Sequence, residues 1–377
     1  MTLTIDDFAA RFHEEPGYLD FASIGPPGDT VRAETEVFQT LLSGGRFGAF
    51  TPLTTQDARV REAVSALTGF RPDQVAVQPN TSQGLMQALF GLTGGVALSA
   101  AEFPSLPFAA VRAQQALGVV GVQWLETDHG RVTPGNIREQ LTASTVAVGV
   151  SLVDFRTGYL VDLEGIRQVI GDRLLIVDAI QGFGVVDAPY ELADVVASGG
   201  QKWVRAGFGT GFLALSDRAL EHLTPVWSGF PGSSHPELPL DEVPPPAADA
   251  RAYTVSHGDP MAMSRFAAAL EELADVGVAA VNARLAERVS EVIDIADEFA
   301  LPVVSPRAEA ERAGIVVVQP EPEQLTVLAA ALHNHGVSVT VRQGTVRIAP
   351  HVSTGPDTLE LLRSAMLSFA TASGARR

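Results

Sequence analysis

Short apolar runs alternate with stretches of helical periodicity along the first two thirds of the chain. The runs at Val75–Pro79, Val96–Ser99, Val119–Leu125, Thr145–Val153, Leu174–Asp178, Ala193–Ser198 and Phe212–Leu215 read as strands. Leu174 to Val177 is apolar without a break, the pattern of a strand buried on both faces of a parallel sheet. Helical spacing covers Asp6–Glu14, Val31–Leu42, Thr55–Leu67, Asn80 to about Leu92, and Asp162–Ile170. Tyr18 to Phe21 is extended and is broken by Gly25-Pro26-Pro27. Pro231 to Ala250 is rich in proline and acid and reads as a long loop.

After Pro260 the texture changes. Two long helical patterns cover Met261–Ala300. A strand over Gly314–Gln319, a helix over Pro322–Asn334, and short strands at Val337–Val341 and Thr345–Ala349 follow, the last two around Gln343-Gly344. This part reads as a small α+β domain. A length of 377 residues suits one large and one smaller domain.

Charge narrows the function. The formal net charge of −18 argues against nucleic acid and anionic membranes as partners. An anionic ligand must then be held by backbone amides and a few chosen cations. Met1 to Asp7 lacks the basic and apolar regions of a signal peptide. No uncharged apolar run is long enough to span a bilayer, so the expectation is a cytoplasmic protein. With no cysteine, disulfides, thiolate metal sites and thiol nucleophiles are absent from this chain.

The chemistry centres on two residues. Lys202 is the only lysine, and it ends the Gly/Ser-rich turn Ser198-Gly199-Gly200-Gln201 between apolar segments. A buried lysine has a lowered pKa and acts as nucleophile or base. Asp178 closes the buried apolar run, where α/β sheets place their ligands. A lysine and an aspartate so placed suit pyridoxal phosphate: the amine forms a Schiff base and the carboxylate keeps the pyridine nitrogen protonated.

Asp178-Ala179-Ile180-Gln181 followed by Ser198-Gly199-Gly200-Gln201-Lys202-Trp203 resembles the class V aminotransferase family of pyridoxal phosphate enzymes. Further pieces extend the resemblance over most of the chain. Asn80-Thr81-Ser82-Gln83, between a strand and a helix, is similar to the family's phosphate cup; Thr81 or Ser82 also suits a simple helix cap. Phe103 stands where the family stacks an aromatic residue, often histidine, on the cofactor ring. Gln181 stands where the family places a side chain near the cofactor's phenolic oxygen. Ser198 and Gln201 match phosphate contacts, while Gly200 stands where many relatives carry a hydroxyl. Asp154-Phe155-Arg156 resembles a loop with substrate-side groups; its acid and base equally suit an ion pair. Arg347, in Val346-Arg347-Ile348-Ala349-Pro350-His351, matches the arginine that binds the substrate carboxylate, though pattern alone also fits an edge-strand arginine. Ser256 and His257 stand near a segment that reaches a neighbouring subunit.

The resemblance implies the aspartate-aminotransferase-type fold. Residues 1–20 would pack with the small domain, 21–255 form the large cofactor domain, and 256–377 the small one. It also implies a homodimer with shared active sites and an amino acid as its small-molecule substrate. The reaction expected is transamination or carbon–sulfur β-elimination, since persulfide chemistry needs a cysteine. An epimerase of the isopenicillin N type and a non-enzymatic pyridoxal-phosphate-binding regulator are the alternatives.

Overall fold

The computed structural model describes residues 3–235 and 241–373. Residues 236–240 of the predicted 231–250 loop lie outside them. The strands are β1 (Val75–Val77), β2 (Gly94–Ser99), β3 (Val120–Leu125), β4 (Thr145–Ser151), β5 (Leu174–Asp178), β6 (Val195–Gly199), β7 (Gly211–Leu215), β8 (Val316–Val318), β9 (Thr340–Arg342) and β10 (Thr345–Ile348). The helices are α1 (Ile5–Ala9), α2 (Asp29–Gly44), α3 (Gln56–Thr68), α4 (Thr81–Gly91), α5 (Ser105–Leu117), α6 (Pro134–Gln140), α7 (Leu163–Ile170), α8 (Asp217–His222), α9 (Pro260–Val276), α10 (Val278–Glu298), α11 (Leu325–Asn334) and α12 (Pro356–Ser373).

Seven strands form one sheet in the order β1-β7-β6-β5-β4-β2-β3. Only β7 runs against its neighbours. Both faces are covered, as the uninterrupted apolar runs require. Leu175 and Val177 of β5 enter one core, while Leu174 and Ile176 enter the other. Helix α4 packs under β6 and β7 against α5, and α9 packs across α2 and α3. A second, antiparallel sheet has the order β8-β10-β9, with α10, α11 and α12 beside it. The architecture is thus α/β, with a large mostly parallel sheet and a small antiparallel one. No helix among the described residues is long and apolar enough to cross a membrane.

One difference from the sequence expectation has a physical cause. The first helix stops at Ala9 instead of running to Glu14. Residues beyond it leave the helix because Phe12 and Glu14 are drawn to Arg205: the guanidinium lies 3.9 Å from the Phe12 ring centre and pairs with Glu14. Tyr18 to Phe21 then joins the small sheet's periphery, with the Leu19 amide donating to the Ser338 carbonyl and Ala349 donating back to Leu19.

Candidate active site

Topology gathers the chemistry at the carboxyl ends of the parallel strands of the large sheet. Val77 of β1 and Ser198 of β6 both lie opposite Phe212 of the intervening antiparallel strand. Their strands therefore run the same way, and Thr81, just past β1, arrives beside the end of β6. Ser151, at the end of β4, pairs with Asp178, which pairs in turn with Ala197 of β6. Carboxyl ends of parallel strands are where such sheets bind ligands.

Lys202 and Asp178 are both buried. Burial pushes the Lys202 amine down to about 8; Asp178 and Asp20 oppose the shift, while Arg347 and Arg342 add to it. Burial likewise pushes the Asp178 carboxyl up to about 6, against the amide of Ile180 and the charge of Lys202. One Asp178 oxygen accepts from that amide at 3.1 Å, and the other, Oδ2, has no partner. The Lys202 amine lies 5.3 Å from the centre of the Phe103 ring.

A second group of unpartnered polar atoms lies at the start of α4. Asn80 is the cap, accepting the Gln83 amide, so neither Thr81 nor Ser82 plays that part. Thr81 Oγ1 and Ser198 Oγ are both buried and without partners. Ser82 is separate from them: it is exposed, and its hydroxyl lies 2.7 Å from that of Ser105. A β-carbon on Gly199 would stand 2.5 Å from the Gln201 amide oxygen and 3.1 Å from Thr81 Oγ1, so bare backbone at Gly199 lets these groups converge. At Gly200 a side chain would meet Thr210 Oγ1 at 2.7 Å and the Phe266 ring at 2.9 Å. The missing hydroxyl at Gly200 is therefore a matter of space already filled by Thr210 and Phe266.

The third side is aromatic and cationic. Phe103 packs edge to face with Phe155, their centres 5.2 Å apart. Arg347 is buried on β10, not an edge arginine in water. It donates to Ser23 Oγ at 2.8 Å, to Thr340 Oγ1 at 3.2 Å and to the Phe155 carbonyl at 3.3 Å, while its buried Nε has no partner. Asp20 is 3.6 Å away. Asp154 and Arg156 form the ion pair that the sequence also suited. Asp154 accepts the amides of Arg156 and Thr157, and its second oxygen pairs with the Arg156 guanidinium at 3.0 Å. These bonds close the loop, while the buried Arg156 Nε has no partner.

Gln181 is buried, with its amide donating to the Ala22 carbonyl and accepting from the Trp203 indole, each at 3.0 Å. It ties the N-terminal segment to the lysine loop. Ser256 and His257 are exposed, and the His257 ring packs on Phe230.

Sequence reasoning missed three contributors. Glu102 accepts the Ser151 amide at 3.1 Å, and burial pushes its carboxyl up to about 7, with Asp154 and Asp178 adding to the rise. Gly25 lies against the lysine loop, where a β-carbon would stand 2.1 Å from the Lys202 carbonyl oxygen. Arg205 sits at φ 60°, buried between Phe12 and Phe21, and bonds Glu14, Ser353 and the Pro26 carbonyl. Its only sequence signal was an arginine three places after the lysine.

Residues 52–372 match the family described as aminotransferase class V. The uncharacterized aminotransferase YcbU of Bacillus subtilis is 26% identical over 308 residues, covering 77% of this chain and 78% of that protein. Among solved structures, a cysteine desulfurase from Thermococcus onnurineus superposes with a TM-score of 0.83 at 18% identity, over 95% of each chain. The cystine C–S lyase C-DES, in complex with its product cysteine persulfide, superposes with a TM-score of 0.83 at 16% identity, over 93% of this chain and 97% of that one.

Proposed function

The chain belongs to the class V aminotransferase family, whose cofactor is pyridoxal 5′-phosphate, and from that premise we propose that it transforms an α-amino acid through a Schiff base at Lys202. The bound cofactor supplies an aldehyde that condenses with amines and a ring that accepts electrons. The observation carrying the reading is the convergence of a lone, buried lysine with three buried oxygens that lack partners: Asp178 Oδ2, Thr81 Oγ1 and Ser198 Oγ. Asp178 Oδ2 suits a protonated ring nitrogen. Thr81 and Ser198, with the free amides at the start of α4, suit a phosphate. Phe103 supplies an apolar face for the ring.

Each side chain then has a task. Burial disfavours the Lys202 ammonium, so a larger share of the amine is unprotonated near neutral pH than in a solvated lysine, and Lys202 would hold the cofactor and take the substrate's α-proton. Asp178, with Oδ2 unpartnered, would hold the ring nitrogen's proton. Arg347 keeps its unpartnered Nε–H for the substrate carboxylate. Phe103, having no ionisable group, leaves Lys202 to move the proton.

Two outcomes follow from this common start: transamination, or loss of a sulfur substituent from the β-carbon. Without any cysteine, sulfur leaves directly as thiol or sulfide and not as a protein persulfide. Incubation with a panel of amino acids, cysteine and cysteine conjugates tests the proposal, with keto acid, sulfide and ammonia read beside the cofactor spectrum. Pyruvate, ammonia and sulfide together mark elimination; a keto acid with aminated cofactor marks transamination. No spectral change with any amino acid removes the proposal.

We also read the chain as a cytoplasmic homodimer of large (21–255) and small (256–377) domains. Phe47, Phe50, Phe208 and Phe230 are large side chains left exposed, the kind of surface that association covers. Light scattering that shows a monomer at micromolar concentration removes the dimer.

A further inference from the structure

Arg342 is the cation the proposed mechanism leaves unused. It stands at the end of β9, and the chain reverses immediately after it through Gln343 and Gly344, both at positive φ, 49° and 82°. Two successive positive-φ residues make the tight hairpin turn that fixes register. The register pairs Arg342 with Thr345 and Thr340 with Arg347. Alternate residues share a face, so Arg342, Thr340, Thr345 and Arg347 all project from the same side of the small sheet. Thr340 bonds the Arg347 guanidinium at 3.2 Å, which identifies that side as the one turned to the active site.

Phe155 confirms the placement. The Arg342 guanidinium lies 5.9 Å from the Phe155 ring centre, the Phe155 carbonyl accepts from Arg347, and the Phe155 ring meets Phe103. Phe103 in turn is the ring beside the Lys202 amine. Arg342 also contributes to the depression of both the Lys202 and the Arg347 pKa, as a nearby like charge does. Three guanidiniums therefore surround Phe155, and they differ in their counter-charges. Arg156 is paired with Asp154, and Arg347 has Asp20 at 3.6 Å. Arg342 has no salt bridge among the described residues, in a chain with 44 acids against 26 bases. Two like charges on one sheet face, with the outer one uncompensated, favour a ligand that brings a second negative charge.

We propose that Arg342 receives an anionic group at the far end of the substrate side chain, so that the preferred substrates are amino acids whose side chain, or whose sulfur substituent, ends in an acid. The inference rests on the reading of Arg347 as the α-carboxylate site. Diagonal neighbours across paired strands stand roughly 7–8 Å apart at their Cα atoms, a spacing that flexible arginine heads adapt to short diacids. Arg342 is exposed, so its replacement leaves the core untouched.

The test is calorimetric titration of the holoenzyme with butyrate and with succinate, glutarate and adipate, using wild type, Arg342→Gln and Arg347→Gln. In wild type at least one diacid should bind about tenfold tighter than butyrate, the scale of one added charge-assisted hydrogen bond. Arg342→Gln should abolish that advantage and leave butyrate unchanged, whereas Arg347→Gln should weaken both. A diacid advantage that persists in Arg342→Gln, or one absent from wild type, overturns the proposal. Butyrate binding that survives Arg347→Gln overturns the reading of Arg347 itself, and is distinguishable because the Arg342 result is read only from the diacid advantage.

Discussion

Asp178 and Lys202 stabilise each other's charge inside a site whose burial disfavours charge on both. The sign of each shift gives a pH profile for the cofactor-free protein. Folded Asp178 keeps its proton up to about pH 6, beyond its ordinary value of 3.8, so stability falls as pH rises through that window. Folded Lys202 gives up its proton near pH 8 instead of 10.5, so stability recovers as pH rises from 8. These two groups should make the cofactor-free protein least stable between about pH 6 and 8. Cofactor that bonds both should flatten the trough. Denaturant titrations across pH check this; identical profiles for wild type and Lys202→Met would remove Lys202 as a cause.

Lys202 also offers a labelling test that few chains allow, because no other lysine competes. Borohydride treatment of the holoenzyme should fix one cofactor per chain, all on Lys202. In cofactor-free protein, the rate of modification by an amine reagent should rise through about pH 8. A rise only near the ordinary lysine range would show that the side chain is solvated. Asp178→Asn should keep cofactor binding but reduce turnover by several orders of magnitude, because a neutral pyridine is a poor electron sink. A loss below about tenfold would assign that task to another group.

Thr81→Val and Ser198→Ala test the proposed phosphate cup. Each removes a hydroxyl that has no partner within the protein. A hydrogen bond to a charged group contributes about 1.5–3 kcal/mol, or roughly ten- to a hundredfold in Kd. The loss should appear with pyridoxal phosphate and vanish with pyridoxal, which lacks the phosphate. Equal loss with both ligands would place these hydroxyls elsewhere.

How much of this the sequence carried depended on whether the signal was local. The strand ending in Asp178 was legible because an unbroken apolar run has one reading when both faces are buried. The convergence of Lys202 with Asp178 was legible from order and spacing. Helix α5 was not, since alanines at 109, 110 and 113 blur its buried face. Helix α12 did carry an apolar spacing, at Leu359, Leu362, Met366 and Phe369, and lay beyond the last recognised motif. The pairing of Asp154 with Arg156 was one of two readings the sequence left open, because choosing between them depends on how a loop closes. The Arg205 cluster was invisible because its partners stand 191 and 148 residues away.

Gly25 makes a purely steric prediction. Its φ is ordinary, yet a β-carbon there would stand 2.1 Å from the Lys202 carbonyl. Both sides of that clash are backbone, so Gly25→Ala must shift the N-terminal segment or the lysine loop. A displacement near 1 Å costs roughly a hundredfold in rate where geometry is tight. Activity should fall by that order with the far-UV spectrum unchanged. Full activity would show that the segment moves aside freely.

Arg205 and Glu14 make the last prediction, because they join the lysine loop to both ends of the chain. Arg205 stays at φ 60°, where an ordinary residue is strained by about 1–2 kcal/mol. What holds it is the pair with Glu14, the Ser353 hydroxyl and two aromatic faces. Burial pushes the Glu14 carboxyl up, but the Arg205 bond and charge and the Ser353 bond leave it lower than usual. Its contribution is therefore present above the ordinary carboxylate range and is lost as pH falls through the lowered value. Glu14→Gln leaves a buried guanidinium without its anion and should cost about 3–5 kcal/mol. Arg205→Gly removes the charge and relieves the φ strain together. The double variant should then be less destabilised than the sum of the singles by at least about 1 kcal/mol, since no unpaired charge remains. Denaturant midpoints measure this, with Lys202 labelling as a second readout of whether the loop has loosened. Additivity of the two substitutions would show that the pair does not hold the loop.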